Sequence, residues 1–119
     1  MKIRIFQINP ERDIDHIKFQ STKWLFSHAG YTHLTPYIYD KVFEGKVAAQ
    51  SLEDVYFLFN ADNRPNAMTM RSMSISDVIA VDSSETVLSG FYYCDAVGFT
   101  RVEFDADQAK EALHGKATH

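Results

Sequence analysis

Residues 72–104 read SMSISDVIAVDSSETVLSGFYYCDAVGFTRVEF, the densest β signal in the chain. Ile79, Val81, Val87, Phe91, Tyr92, Tyr93, Val97, Phe99, Val102 and Phe104 fall in short runs separated by Ser, Asp and Gly. β-branched and aromatic residues bounded by turn formers are what a half-buried sheet requires. Gly90 opens one run and Gly98 separates two others, and the stretch Phe99 to Phe104 alternates imperfectly between apolar and polar residues. A strand with one dry and one wet face has that pattern. The core sheet is therefore expected here.

The strands that must join it lie earlier. KIRIFQI, residues 2–8, alternates strictly, with Ile3, Ile5 and Gln7 on one face and Arg4, Phe6 and Ile8 on the other. Asn9-Pro10 ends this strand, because proline has no N–H for the ladder. A short second strand is expected at His16 to Phe19, and a third over Tyr37 to Val47 with a bend or bulge at Glu44-Gly45. Helices are expected in two places. Ser21 or Thr22 caps one that runs through Trp24, Leu25 and His28 to Gly30. Ser51 caps the clearer one, in which Leu52, Val55, Tyr56 and Phe59 recur at helical spacing. Phe57 and Leu58 fall outside that stripe and suggest a second contact surface. After Phe104, DADQAKEALHGK reads as a short C-terminal helix on a thin apolar face.

A length of 119 residues suits one domain. The expected fold is a single α+β domain over residues 1–104, with a helical tail over 105–119. Its mixed, mostly antiparallel sheet carries two principal helices packed on it. No run of apolar residues approaches the roughly 18–20 needed to cross a bilayer, and no signal peptide is read at the N-terminus. A single cysteine, Cys94, excludes an internal disulfide and fits a reducing cytoplasm. The formal net charge is −4, and it is uneven: residues 74–119 carry three Lys/Arg against eight Asp/Glu. Direct nucleic-acid binding needs a basic patch and is not expected.

Three stretches together resemble one family. They are Ser51-Leu52-Glu53-Asp54-Val55-Tyr56 with Phe59-Asn60, then Arg71 to Val78, then Gly90-Phe91-Tyr92-Tyr93-Cys94-Asp95 with Val97-Gly98-Phe99. With FQINPERD and IYDKVFEGKV, they are similar to the YodL-like domain, found in mobile-element and phage-related proteins, mostly of Firmicutes. The resemblance runs from about Ile3 to Glu103. It implies no catalytic residues, since no activity is established for the family.

The residues offer several candidate sites. Asn60 to Met70 is longer than a simple connection needs, so Asn60, Asn63, Arg64, Asn66 and Met68, with Phe57, are the candidate partner-binding residues. Ser74, Ser76 and Asp77 are candidate ligand residues, although Ser and Asp there also suit local side-chain-to-backbone bonds before a strand. Cys94 beside Asp95 lacks the neighbouring cation that would activate a thiol. The scattered histidines match no zinc motif. The expectation is thus a non-enzymatic protein-binding module of a mobile genetic element, without cofactor or metal. Its expected partner is a host defence protein, a CRISPR effector or a restriction enzyme. The alternatives are a small-ligand binder or enzyme using Ser74 to Asp77 and Cys94, and a nucleic-acid-binding accessory protein.

Overall fold

A computed structural model describes residues 1–14, 16–25, 27, 35–65 and 70–111. Six strands form one sheet: β1 (Lys2–Ile8), β2 (Tyr39–Lys46), β3 (Val78–Ser83), β4 (Gly90–Cys94), β5 (Phe99–Val102) and β6 (Lys110–Glu111). Their spatial order is β5-β4-β3-β1-β2-β6, antiparallel except for the parallel pairing of β2 with β6. Among the described residues the two α-helices are α1 (Thr22–Trp24) and α2 (Leu52–Leu58). The α+β class and the mixed, mostly antiparallel sheet expected from the sequence are what the chain adopts.

β1 lies between β3 and β2 in the sheet, and each of its two faces is buried in a separate core. Ile3 and Ile5 join Val55, Phe59, Met70, Met73, Ile79 and Val81 in one core. Phe6 and Ile8 join Ile17, Leu25, Tyr39, Val78, Ala80, Tyr93 and Phe104 in the other. α2 covers the first face, and Ile17, Leu25 and Ile38, together with Phe104, cover the second. Each fully buried large side chain contributes roughly 1.5–3 kcal/mol.

Hydrogen bonds set the ends of α2. The Ser51 hydroxyl accepts from the Asp54 N–H at 3.0 Å, and the Asp54 carboxylate accepts from the Gln50 N–H at 3.0 Å. The reciprocal arm of the capping box thus reaches one residue upstream of the cap. At the other end the Asn60 amide donates to the Tyr56 carbonyl at 2.8 Å, closing the last turn. α1 is capped by Ser21, whose hydroxyl accepts from the Trp24 N–H at 3.1 Å. Beyond Trp24 the expected helix runs into residues 26 and 28–34, which lie outside the described residues.

Three expectations are corrected. His16 to Phe19 is not a strand: His16 and Phe19 have φ of 55° and 71°. The Asp13 carboxylate there accepts the N–H groups of Ile17 and Lys18 at 2.8 and 3.0 Å. Left-handed residues and a carboxylate on consecutive amides make a turn, which a ladder cannot accommodate. The irregularity of β2 lies at Val42 and not at Glu44-Gly45, since Ile5 pairs with Phe43 and Phe6 with Lys41. The tail is not helical over its described part. Asp105 caps a 3-10 turn at Ala106–Gln108, and Lys110–Glu111 then pairs alongside Asp40 and Lys41. A face of alanines is too thin to hold a helix on the sheet. Ala106 and Ala109 instead pack against the core as the strand edge is completed. Residues 112–119 lie outside the described residues.

Candidate functional site

The helical period that turns Val55 and Phe59 inward turns Glu53 and Phe57, four residues apart, to the outer side of α2. Val55 and Phe59 are fully buried, whereas Phe57 is 71% exposed. Opposite this face stands the β4–β5 hairpin. Its turn is closed by the Asp95 N–H donating to the Gly98 carbonyl at 3.0 Å, with Gly98 at φ +67°, where glycine carries no steric penalty. Between helix and hairpin lies a groove of about 300 Å³. Tyr56, Phe57, Ile75 and Phe99 supply its apolar walls, and Glu53 and Asp95 also line it. The Tyr56 and Phe57 rings meet edge to face, with centroids 6.3 Å apart. At the hairpin tip, Val97 is 92% exposed.

Asp95 fastens this wall to α1. Its carboxylate accepts from the Thr22 N–H at 3.1 Å, the Ala96 N–H at 2.9 Å and the Thr100 hydroxyl at 2.6 Å, and also from the Thr22 hydroxyl. Burial alone would raise its pKa, but these bonds hold the carboxyl below the usual carboxylate range. Asp95 is therefore ionised at neutral pH.

The candidate ligand residues come together just before β3, in a buried polar lock bonded to β1, β2 and β4. The Ser74 N–H donates to Asp77 Oδ2 at 2.9 Å, and the Asp77 N–H donates back to the Ser74 carbonyl at 3.2 Å. The Gln7 amide on β1 donates to Asp77 Oδ2 and to the Arg71 carbonyl, each at 3.0 Å. Ser76 is held at φ 87°, a costly position for a residue with a Cβ. All of its polar groups are engaged: its N–H by the Cys94 carbonyl at 2.9 Å, its carbonyl by the Tyr39 hydroxyl at 2.7 Å, its hydroxyl by the Phe19 N–H at 3.1 Å. The Cys94 N–H in turn donates to the Asp77 carbonyl at 2.7 Å.

Asp77 is fully buried, and its Oδ1 faces Arg71 Nη2 at 3.6 Å. That oxygen and the Ser74 hydroxyl have no hydrogen-bond partner among the described residues. Burial pushes the Asp77 carboxyl up to about 7, against the opposing pull of the Gln7 and Ser74 bonds and the Arg71 charge. Burial, with Asp77 and Asp95 nearby, pushes the Cys94 thiol up to about 12, so at neutral pH it keeps its proton and is a poor nucleophile.

The groove brings together only one of the candidate partner-binding residues, Phe57. Asn63 is exposed on the loop after α2, while Arg64 donates to the Met70 carbonyl at 3.3 Å and Asn60 closes the helix. Asn66 and Met68 lie outside the described residues. Sequence reasoning did not find the other wall, Ile75, Ala96, Gly98 and Phe99. Phe57 and Leu58, outside the helical stripe, signal the helix wall alone. Among the described residues, no group of three or more His, Cys, Asp or Glu is placed to hold a metal ion, and no helix is long and apolar enough to cross a membrane.

The model of the YodL-like domain matches residues 2–104, and the chain belongs to that family. Neither the curated proteins nor the solved structures give a match.

Proposed function

We propose that this YodL-like domain is a protein-binding module whose contact surface is the groove between α2 and the β4–β5 hairpin. The observation that carries this reading is Phe57, a large aromatic left 71% exposed beside an apolar cleft while Val55 and Phe59, two positions to either side, are fully buried. Exposed aromatics at the rim of an apolar cleft are the usual anchors of an interface. Asn63, exposed on the loop after α2, does not line the groove. Within this reading the bound protein is a host defence protein, a CRISPR effector or a restriction enzyme, and the chain acts for a mobile genetic element without catalysing a reaction. The family resemblance and its mobile-element setting support that finer step.

A panel of purified restriction enzymes and CRISPR effectors, assayed for binding and for nuclease activity, tests the proposal. One member is expected to bind and lose activity, and Phe57→Asp is expected to weaken that binding by about tenfold or more, as at an interface anchor. Binding that is indifferent to Phe57→Asp would remove the groove from the interface. No binding across the panel would remove the defence target.

A further inference from the structure

We infer that the outer edge of β5 pairs with the same edge of a second copy of this chain, joining the two sheets across a two-fold axis at Thr100. β5 ends the strand order, so one side of it is open. The direction of its backbone groups follows from the hairpin. The Asp95 N–H bonds the Gly98 carbonyl, and hydrogen-bonded pairs alternate from there, so Thr100 and Val102 exchange their bonds with Tyr93 and Phe91. The N–H and C=O groups of Phe99 and Arg101 therefore point away from β4. Among the described residues nothing pairs with them. Exposed edges are normally guarded by a proline, a bulge or a charged side chain. β5 has neither proline nor bulge. Its one charged side chain is drawn back over β4: Arg101 Nη2 donates to the Ser89 carbonyl at 2.9 Å, and a Cβ on Gly90 would lie 2.9 Å from Arg101 Nε. At the far end of the sheet, by contrast, β6 is only two residues long and carries Lys110.

Such an edge takes an extended main chain, and β5 itself supplies one in a single register. With the two strands antiparallel, Phe99 of each copy lies opposite Arg101 of the other. Every outward N–H then meets an outward C=O, within the length of β5 alone. A slip of two residues either way sets Arg101 opposite Arg101 or Phe99 opposite Phe99. Each slip leaves the other outward residue without a partner inside the strand, and the first also opposes like charges. The side chains agree with the unslipped register. Phe99 packs on the core under α2 and Val102 on the other core, so alternation puts Arg101 on the α2 side and Thr100 on the opposite side. Thr100 meets its own copy across the axis, a pairing that sheets favour, and the ring of Phe99 lies beside the methylene stem of Arg101. The interface is isologous and closes at two copies. Both α2 helices then lie on one side of a continuous sheet, so the dimer presents two grooves together. With four residues on each side the contact is small, and the dimer is weak and reversible.

Sedimentation equilibrium of the full chain from about 10 µM to about 1 mM is expected to show a reversible monomer–dimer equilibrium within that range. Arg101→Pro removes an outward N–H and takes no bond from the β4 ladder, as proline on an edge strand can. It is expected to raise the dissociation constant about tenfold or more, since the bond is lost on both sides of the axis. Thr100→Cys reads the register independently. Residues in that kind of pair have Cα atoms about 4.5 Å apart, within reach of a disulfide. Arg101→Cys would set its two thiols on residues about 8 Å apart, which is too far. Under mild oxidation Thr100→Cys is expected to give a linked dimer on a non-reducing gel and Arg101→Cys almost none. Cys94 is buried and common to both variants, so the difference reports the new position. A wild type that stays monomeric throughout, or a dimer that Arg101→Pro leaves unchanged, would overturn the inference. So would crosslinking that fails at both positions, is equal at both, or favours position 101.

Discussion

Asp77→Asn is expected to flatten the pH dependence of stability between pH 5.5 and 8.5. The Asp77 carboxyl is fully buried and has its pKa raised from 3.8 to about 7, chiefly by desolvation. Between those two values the native state holds a proton that the unfolded chain has released. Stability therefore falls as pH rises through the window, and the loss is complete above the folded pKa. The full difference is worth on the order of 4 kcal/mol, of which about 2 kcal/mol falls between pH 5.5 and 8.5. The other shifted carboxyls, Asp95 and Glu44, are lowered, so the stability they add is lost only as pH falls through their depressed values. An asparagine still accepts from the Ser74 N–H or the Gln7 amide, and it leaves no buried charge to ionise. Urea unfolding of both proteins at the two pH values gives the result. The wild type should lose about 2 kcal/mol relative to the variant on going to pH 8.5. Equal losses in both proteins would mean that Asp77 ionises normally and that Arg71 neutralises it fully.

Phe59→Ala is expected to cost roughly 3–5 kcal/mol, against less than about 0.5 kcal/mol for Phe57→Ala two positions away. Phe59 is fully buried, and its ring lies 4.8 Å from that of Phe43. It ties α2 to β2 as well as to the Ile3, Ile5 and Ile79 face of the sheet. Its removal leaves a cavity bounded by both elements, in a domain whose whole stability is about 5–15 kcal/mol. Phe57 has no comparable burial to lose, so what it contributes should be read in binding. Chemical denaturation of the two alanine variants separates the cases. Similar costs at both positions would place Phe57 in the core and remove it from the groove.

Much of the fold was legible because its signals are local. The period-two run of residues 2–8, the Ser51 cap with its helical stripe, and the runs bounded by Gly90 and Gly98 each carry their own evidence within a dozen residues. What was not legible depended on partners distant in sequence. The segment His16 to Phe19 has strand-like composition, but the Asp13 carboxylate captures its amides and forces a turn. The tail has helical composition, but the open edge of β2 offers Lys110 and Glu111 a ladder, and Lys41 offers Glu111 an ion pair at 2.9 Å. The candidate site divides in the same way. That Phe57 lies outside the buried stripe can be read from spacing alone. That the β4–β5 hairpin stands across from it, with Asp95 ionised and fixed by Thr22, depends on contacts 73 residues apart in the chain. Ser74, Ser76 and Asp77 were visible as a cluster, and the local bonds expected of them are present. Their engagement with Gln7, Tyr39 and Cys94, which makes the turn a lock across three strands, was not.

Site-specific photocrosslinking tests the groove most directly. The photoreactive residue p-benzoylphenylalanine would replace Phe57 in one sample and Leu88 in another, and irradiation would be done in bacterial cells. Leu88, 74% exposed, matches Phe57 in exposure but lies in the β3–β4 connection and does not line the cleft. A protein-binding groove predicts a discrete crosslinked species from position 57 and none from position 88. The same pattern from both positions, or crosslinks from position 88 alone, would contradict it.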